Sequence, residues 1–290
     1  MDTIPPRLLQ QTAPLDDTFQ IGETPVRVRC HCPEIAVKVE ATFAPARVEL
    51  KDGIQDSVDL YNDGGCFAVA RNQGVVFRTK DPGYARGSLL QQLLRLSWPE
   101  RSWLACVHGS AVGNGDSCLV LAGDCGSGKS VLTTAMVHAG FDFMTDDSVP
   151  LESASHHVWP LPFSICLKEE GAQLAEGLFP EIENLPSKMT DRGMTKFFFP
   201  ATRSHPASAG GLPVHALVFP RYQEGAELSL TPIDHGTALS RLCASGSSLD
   251  LHGFRLRESL AWLETMSCFA LTYSSFRSAT AALKELWAPE

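Results

Sequence analysis

The stretch Gly123-Asp124-Cys125-Gly126-Ser127-Gly128-Lys129-Ser130 constrains this chain more than any other. It fits the phosphate-loop pattern Gly-x-x-x-x-Gly-Lys-Ser, which belongs between a buried strand and the first turn of a helix. Both neighbours are legible: Cys118–Ala122 is an apolar run, and "VLTTAMVHAG" reads as a helix ending at Gly140. Glycines let backbone N–H groups converge on phosphate oxygens with no Cβ in the way. The helix start adds unpaired donors and a favourable dipole. Lys129 supplies a mobile positive charge for the β/γ-phosphates, and the Ser130 hydroxyl can ligate Mg²⁺. The expected nucleotide-binding set is therefore Gly123, Asp124, Cys125, Gly126, Ser127, Gly128, Lys129, Ser130 and Val131, with ATP and Mg²⁺ as ligands. A glycine-rich turn with a solvated lysine is the competing reading, and the flanking strand and helix weigh against it.

A second strand, "FDFMTDD", follows the helix and delivers Asp146 and Asp147 at its end. A strand–loop–helix–strand unit is expected to return the chain beside the first strand, bringing both carboxylates near the loop. One carboxylate can hold Mg²⁺, directly or through water, and the other can take a proton from an attacking hydroxyl, a poor nucleophile at neutral pH without a positioned base. An Asp-Asp turn supported by Ser148 and Pro150 is the plainer alternative.

Composition narrows the partners. A formal net charge of −9 over 290 residues argues against a nucleic acid, whose binding rests on Lys and Arg neutralising phosphates. No apolar run approaches the ~18 residues of a membrane span, so no membrane partner is expected. The opening "MDTIPPRLLQQTAPLDD" lacks the basic-then-apolar layout of a signal peptide, which leads to the expectation of a soluble, cytoplasmic protein. Nine cysteines without a secretion signal read as reduced thiols. Cys30-His31-Cys32 is a close Cys/His cluster with no second one to complete a zinc site, and reads as part of a strand.

The chain divides by pattern into a β-rich region, residues 1–100, and an α/β region with a mixed sheet, residues 101–290. In the first, "PVRVRC", "VKVEATF" and "VELKDG" read as strands, and "CFAVARNQGVVFRT" as a hairpin turning at Asn72-Gln73-Gly74. A helix follows with Ser88 as N-cap, Leu89, Leu93 and Leu96 on one face, and Pro99 as its stop. In the second, "WLACVHGSAV" and "SCLVLAG" read as strands, residues 160–212 as loop-rich, and "VHALVFPRY" and "ELSLTPI" as strands. A helix near 254–265, the strand "CFALTYS" and an amphipathic helix with Phe276, Leu283 and Leu286 inward complete the pattern.

The segment "VHGSAV…LVLAGDCGSGKSVLTTAMVHAGFDFMTDDSVPLE", Val107 to Glu152, resembles the HPr kinase/phosphorylase family. Members place a His-Gly ahead of the loop strand and a double aspartate after the helix, and transfer phosphate from ATP to a protein serine. The resemblance implies a P-loop kinase core of the HPr kinase/phosphoenolpyruvate carboxykinase type. It implies Asp147 as proton acceptor, which assigns the metal to Asp146, with Lys129 as phosphate-binding lysine, Ser130 as Mg²⁺ ligand and His108 as an active-site histidine. "PLPFSICLKEE" and "VFPRY" are similar to segments of the HPr-kinase-related group, some of whose members phosphorylate a serine of ribosomal precursor peptides, lasso precursors included. A tendency to form homo-oligomers is a further implication.

Several positions depart from the family pattern. Cys125 stands for the usual loop serine and Val131 for the glutamate after Lys-Ser. The family's Glu-x-Arg-Gly falls on Lys168-Glu169-Glu170-Gly171, which sets a lysine at the metal-binding glutamate. Either Glu169 or Glu170 substitutes, or Lys168 itself contacts phosphate. The family's downstream arginine has Arg192, Lys196 and Arg203 as candidates. The leading expectation is an ATP-dependent kinase acting on a serine of a peptide or small protein. A small-molecule hydroxyl kinase and a non-catalytic nucleotide-binding regulatory module are the alternatives.

Overall fold

A computed structural model describes residues 3, 4, 6, 12–49, 53, 56–190, 193–249 and 253–287. The protein is mixed α/β, with 33% helix, 37% strand and several mixed sheets. It divides into two compact units: Met1–Arg101 with Ser187–Thr195, and Ser102–Pro186 with Lys196–Glu290.

The first unit is built on a six-stranded sheet of β1 (Leu15–Phe19), β2 (Val26–Cys30), β3 (Arg47–Val48), β4 (Ser57–Asp63), β5 (Cys66–Arg71) and β6 (Gly74–Thr79), in the order β3-β1-β2-β4-β5-β6. Its one parallel pair is β2–β4, where Arg29 stands opposite Asp59. The β5–β6 hairpin turns through Asn72 (φ 49°) and Gln73 (φ 69°), both left-handed as a two-residue hairpin turn requires.

Two readings of this region are corrected. "VKVEATF" belongs to helix α1 (Pro33–Phe43), not to a strand. Pro33 presets the first turn, and Ile35, Val39 and Phe43 are buried at helical spacing, which overrides the alternation of β-branched residues. Helix α2 (Pro82–Ser97) starts earlier than Ser88: Asp81 is its N-cap, accepting from the Tyr84 N–H at 2.9 Å, and Ser88 is buried inside it. Leu89 and Leu93 are buried and Leu96 is half-buried. Of "VELKDG", only Val48 lies in β3, and residues 50–52 lie outside the described residues.

The second unit carries a ten-stranded sheet. Its strands are β7 (Trp103–Val107), β8 (Gly109–Asn114), β9 (Ser117–Ala122), β10 (Asp142–Thr145), β11 (Val149–Glu152), β12 (His157–Val158), β16 (Leu212–Tyr222), β17 (Ser229–Ile233), β18 (Ser248–Leu249) and β19 (Ser267–Tyr273). Three further strands lie outside this sheet: β13 (Ile165–Lys168) in this unit, β14 (Lys188–Thr190) in the first, and β15 (Gly193–Phe198), whose residues divide between the two. The large sheet branches at β16. Leu212 and Pro213 pair with β12, while Ala216–Tyr222 run parallel to β19. On its other edge β16 runs parallel to β9.

The helices are α3 (Lys129–His138), α4 (Glu169–Glu176), α5 (His235–Ala244), α6 (Gly253–Leu263) and α7 (Phe276–Glu285). Strand alternation sorts them into two layers. Leu119 and Leu121 of β9 pack with Leu132 and Met136 of α3, Ala175 of α4 and Leu283 of α7. Cys118, Val120 and Ala122 pack with Leu242 of α5 and Trp262 of α6 on the opposite face. Helices on both faces bury this sheet, which is why its central strands read as continuous apolar runs. Residues 160–212 are loop-rich, with β13, α4, β14 and β15 as short elements among the turns, and Ala172 and Ala175 are buried against the α3 layer.

The return of β10 is also corrected. It does not lie beside β9 but pairs antiparallel with β8, which is itself antiparallel to β9. The tight Asn114–Ser117 hairpin fills the edge of β9 that a crossover strand would otherwise take. β10 still runs in the direction of β9, so their carboxyl ends share one edge of the sheet.

Candidate functional site

The phosphate loop leaves β9 at Ala122 and turns on three glycines with positive φ: Gly123 (146°), Gly126 (87°) and Gly128 (93°). No side chain caps α3, so its first-turn amides keep the open donors that an anion can accept. Two loop carbonyls are tied outward. The Tyr222 N–H donates to Ser127 O at 3.0 Å, and the Tyr273 hydroxyl donates to Gly128 O at 3.3 Å. Lys129 is buried, its Nζ curled against Gly123 O (2.6 Å) and Asp124 O (2.8 Å). These are contacts between an ammonium and neutral carbonyls, which phosphate oxygens can outbid by charge.

The two acids at the end of β10 separate. Asp146 is buried and accepts from Ser130 Oγ at 3.0 Å and from the Cys166 N–H at 3.1 Å. Burial, then the neighbouring Asp147 charge, push its carboxyl up to about 6, against the opposing pull of those hydrogen bonds and of Lys129. Asp147 adopts the left-handed conformation (φ 67°), unusual for a non-glycine residue and of the kind that collects at functional sites. Its carboxylate Oδ1 lies 3.5 Å from His108 Nδ1, and its carbonyl oxygen 3.2 Å from the same nitrogen. Both side chains are partly open to solvent.

His108 sits between β7 and β8, its N–H donating to Ser247 Oγ at 2.9 Å. The glycine after it has a steric cause. A Cβ on Gly109 would stand 2.4 Å from Leu121 O, inside the β8–β9 ladder. Lys168, at the end of β13, brings its Nζ to 3.2 Å from Cys125 Sγ in the phosphate loop. Gly171 abuts Val131, whose Cγ2 would lie 2.8 Å from an added Cβ, so α4 packs closely on the start of α3.

The remaining expected residues go elsewhere. Glu169 and Glu170 are exposed in the first turn of α4, where acids complement the helix dipole, and they make no described contact with the loop. Lys196 Nζ donates to Glu176 Oε1 (2.9 Å), Ile182 O (2.9 Å) and Glu183 O (2.8 Å), joining α4 to the turn after it. Arg203 Nη1 donates to Gly140 O at 3.0 Å, past the C-terminal end of α3 and thus the wrong end for a phosphate held at its N-terminus. Neither cation serves the loop. Arg192 lies outside the described residues.

Among the described residues no group of three or more His, Cys, Asp or Glu could hold a metal ion. Mg²⁺ asks for less, because it keeps several waters and takes one or two protein oxygens plus substrate phosphates. Ser130 Oγ and the Asp146 carboxylate are hard oxygen donors already in contact, and a buried carboxylate is a place where a cation is favoured, so these residues fit that ion. Composition and motif did not mark Tyr222, Tyr273, Ser247 or the Cys166 amide as parts of the site. The signal for the two tyrosines was their place at the ends of strands parallel to β9. No protein-family model matches the chain, and no curated protein matches it.

Proposed function

We propose that this protein is an ATP-dependent kinase that transfers the γ-phosphoryl group to a serine hydroxyl of a peptide or small protein. Its catalytic unit would be a P-loop kinase core related to HPr kinase/phosphorylase. The observation that carries the reading is the division of labour between adjacent acids. Asp146 faces Ser130 at the head of α3, and Asp147 turns to His108 on the solvent side. Resemblance of Val107–Glu152 to the family adds the substrate class, with ribosomal precursor peptides as one member of it.

In this mechanism the Gly126–Ser130 amides hold the nucleotide's phosphates, and Lys129 exchanges its loop carbonyls for β/γ-phosphate oxygens. Ser130 and Asp146 would hold Mg²⁺, which supplies neutralisation of the phosphate charge when bound. Asp147 accepts the proton of the incoming serine hydroxyl as the Oγ–P bond forms and the bond from γ-phosphorus to the bridging oxygen breaks, releasing ADP. His108 orients the Asp147 carboxylate. With Lys168 in place of an acid, a second positive charge stands near Cys125, on the side of the loop facing β13.

Incubation with Mg²⁺, ATP and serine-containing peptides, read by mass spectrometry, tests the proposal. Phosphopeptide together with ADP is the expected outcome. Phosphate appearing only on small hydroxyl compounds would redirect the reading to a metabolite kinase. ATP binding with no acceptor modified by the wild-type chain would leave a nucleotide-gated binding module instead.

A further inference from the structure

Strands β9, β16 and β19 are adjacent and parallel, so their carboxyl ends stand side by side. Ligands of open α/β sheets bind outside such ends. Asp146 and Asp147, at the end of β10, flank the phosphate loop beyond β8, and the ends of β16 and β19 flank it on the other side. That second flank is aromatic. It presents Tyr222, Tyr273 and, at the first position of α7, Phe276.

The aromatic group is fastened to the loop. Besides the bonds to Ser127 O and Gly128 O, the Gln223 N–H donates to Tyr273 O at 2.9 Å, joining the two strand ends. A Cβ on Gly128 would stand 2.5 Å from the Tyr273 hydroxyl and 3.0 Å from Tyr222 Cβ, so loop and rings are in close approach. Tyr222 stacks on Phe276 with centroids 5.5 Å apart and planes 5° from parallel, and meets Tyr273 edge-on at 5.7 Å. Tyr273 and Phe276 belong to the α3-layer core. Tyr222 belongs to neither core layer and is 37% exposed. Packing accounts for the first two rings and leaves the outer one unexplained.

We infer that Tyr222, backed by Phe276, is the stacking platform for the base of the bound nucleotide. The inference rests on the nucleotide-binding reading above and extends it to the base. Transfer requires the terminal phosphate to face the acids. The nucleoside then leaves the loop toward the opposite flank, where Tyr222 is the exposed flat surface. Stacking on a π-face accepts any base, so this site contributes affinity with little base selectivity.

Calorimetric titration of the full chain with ATP and with inorganic tripolyphosphate, both in Mg²⁺, separates base from phosphate binding. Tyr222→Ala is expected to weaken ATP roughly tenfold or more while leaving tripolyphosphate within about twofold, and Tyr222→Phe to restore ATP to within about twofold. An unchanged ATP affinity in Tyr222→Ala overturns the platform, as does an equal loss for both ligands, which would mean that Tyr222 acts only by holding the loop. If the wild-type chain binds neither ligand, the nucleotide reading fails and the platform with it. Native melting of Tyr222→Phe beside impaired ATP binding would also count against stacking.

Discussion

Asp146 and Asp147 are neighbours in sequence that face different partners. One carboxylate is buried against Ser130 and the Cys166 amide, and the other lies 3.5 Å from His108 Nδ1. Both acids lie just past the end of β10, where Asp147 leaves the extended conformation for a left-handed one (φ 67°). A pair that reads in sequence as two like charges is thus two separate devices. One is joined to the head of α3 and the other faces His108, partly open to solvent.

Asp147→Asn is therefore expected to remove the proton acceptor and spare the nucleotide site. Phosphopeptide formation should fall by roughly 10²–10⁴-fold, the usual contribution of a positioned base. The dissociation constant for ATP should change by less than about threefold, because the Asp147 carboxylate is turned to His108 while Ser130 bonds Asp146. Single-turnover transfer measured beside equilibrium ATP binding checks both halves. A mutant that transfers at the wild-type rate removes Asp147 from the chemistry.

Asp146 gives the protein a pH signature in metal-free buffer. Its folded carboxyl titrates at about 6 against an ordinary value of 3.8, so the folded state holds that proton more tightly than the unfolded state. Its contribution to stability is most favourable below pH 4, declines as pH rises from about 4 to about 6, and is constant above. The whole excursion is on the order of 3 kcal/mol. Asp146→Asn should remove that slope, so the difference in Tm between mutant and wild type should grow across this interval. Thermal melts in chelator from pH 4 to 7 measure it, and a pH-independent difference would contradict the buried, proton-retaining carboxylate.

Much of this site was legible because the motif carries its own local structure. The strand–loop–helix around Gly123–Ser130 and the acids ending a strand follow from residue types and spacing. The rest depended on long-range choices that spacing does not encode. β10 goes beyond β8 because the Asn114–Ser117 hairpin already occupies that edge of β9. Lys196 resembled a phosphate ligand by charge and position, yet its ammonium is taken up by Glu176 and two carbonyls. In the first unit, "VKVEATF" has the residue types of a strand, and tertiary burial of Ile35, Val39 and Phe43 makes it a helix. The Asp81-Pro82 pair was an available N-terminal signal for α2 that Ser88 obscured.

The loop glycines are predicted to differ in what they tolerate. Gly126 and Gly128 both have positive φ, so alanine at either costs about 1–2 kcal/mol of backbone strain. A Cβ on Gly126 meets nothing within 4 Å, whereas on Gly128 it would strike the Tyr273 hydroxyl at 2.5 Å. Tyr273 is fully buried and bonded to Gly128 O, so it has no room to withdraw. Gly128→Ala should weaken ATP at least about tenfold more than Gly126→Ala and lower Tm further by a few degrees. Equal effects at the two positions would mean that the contact with Tyr273 is easily relaxed.

The first unit offers a stability test of its own. Arg29 and Asp59 are register partners across the parallel β2–β4 pair, with Arg29 Nη2 3.0 Å from Asp59 Oδ2 and the Asp59 side chain wholly buried. Removing the guanidinium leaves a buried carboxylate without its countercharge, which typically costs about 3–5 kcal/mol. Removing both charges together leaves no such orphan and often costs little. Arg29→Met alone should therefore lower the Tm markedly, and the double variant Arg29→Met/Asp59→Leu should recover most of the loss. Calorimetry of the single and double variants measures the coupling, and additive losses would show that the pair is worth no more than two separate contacts.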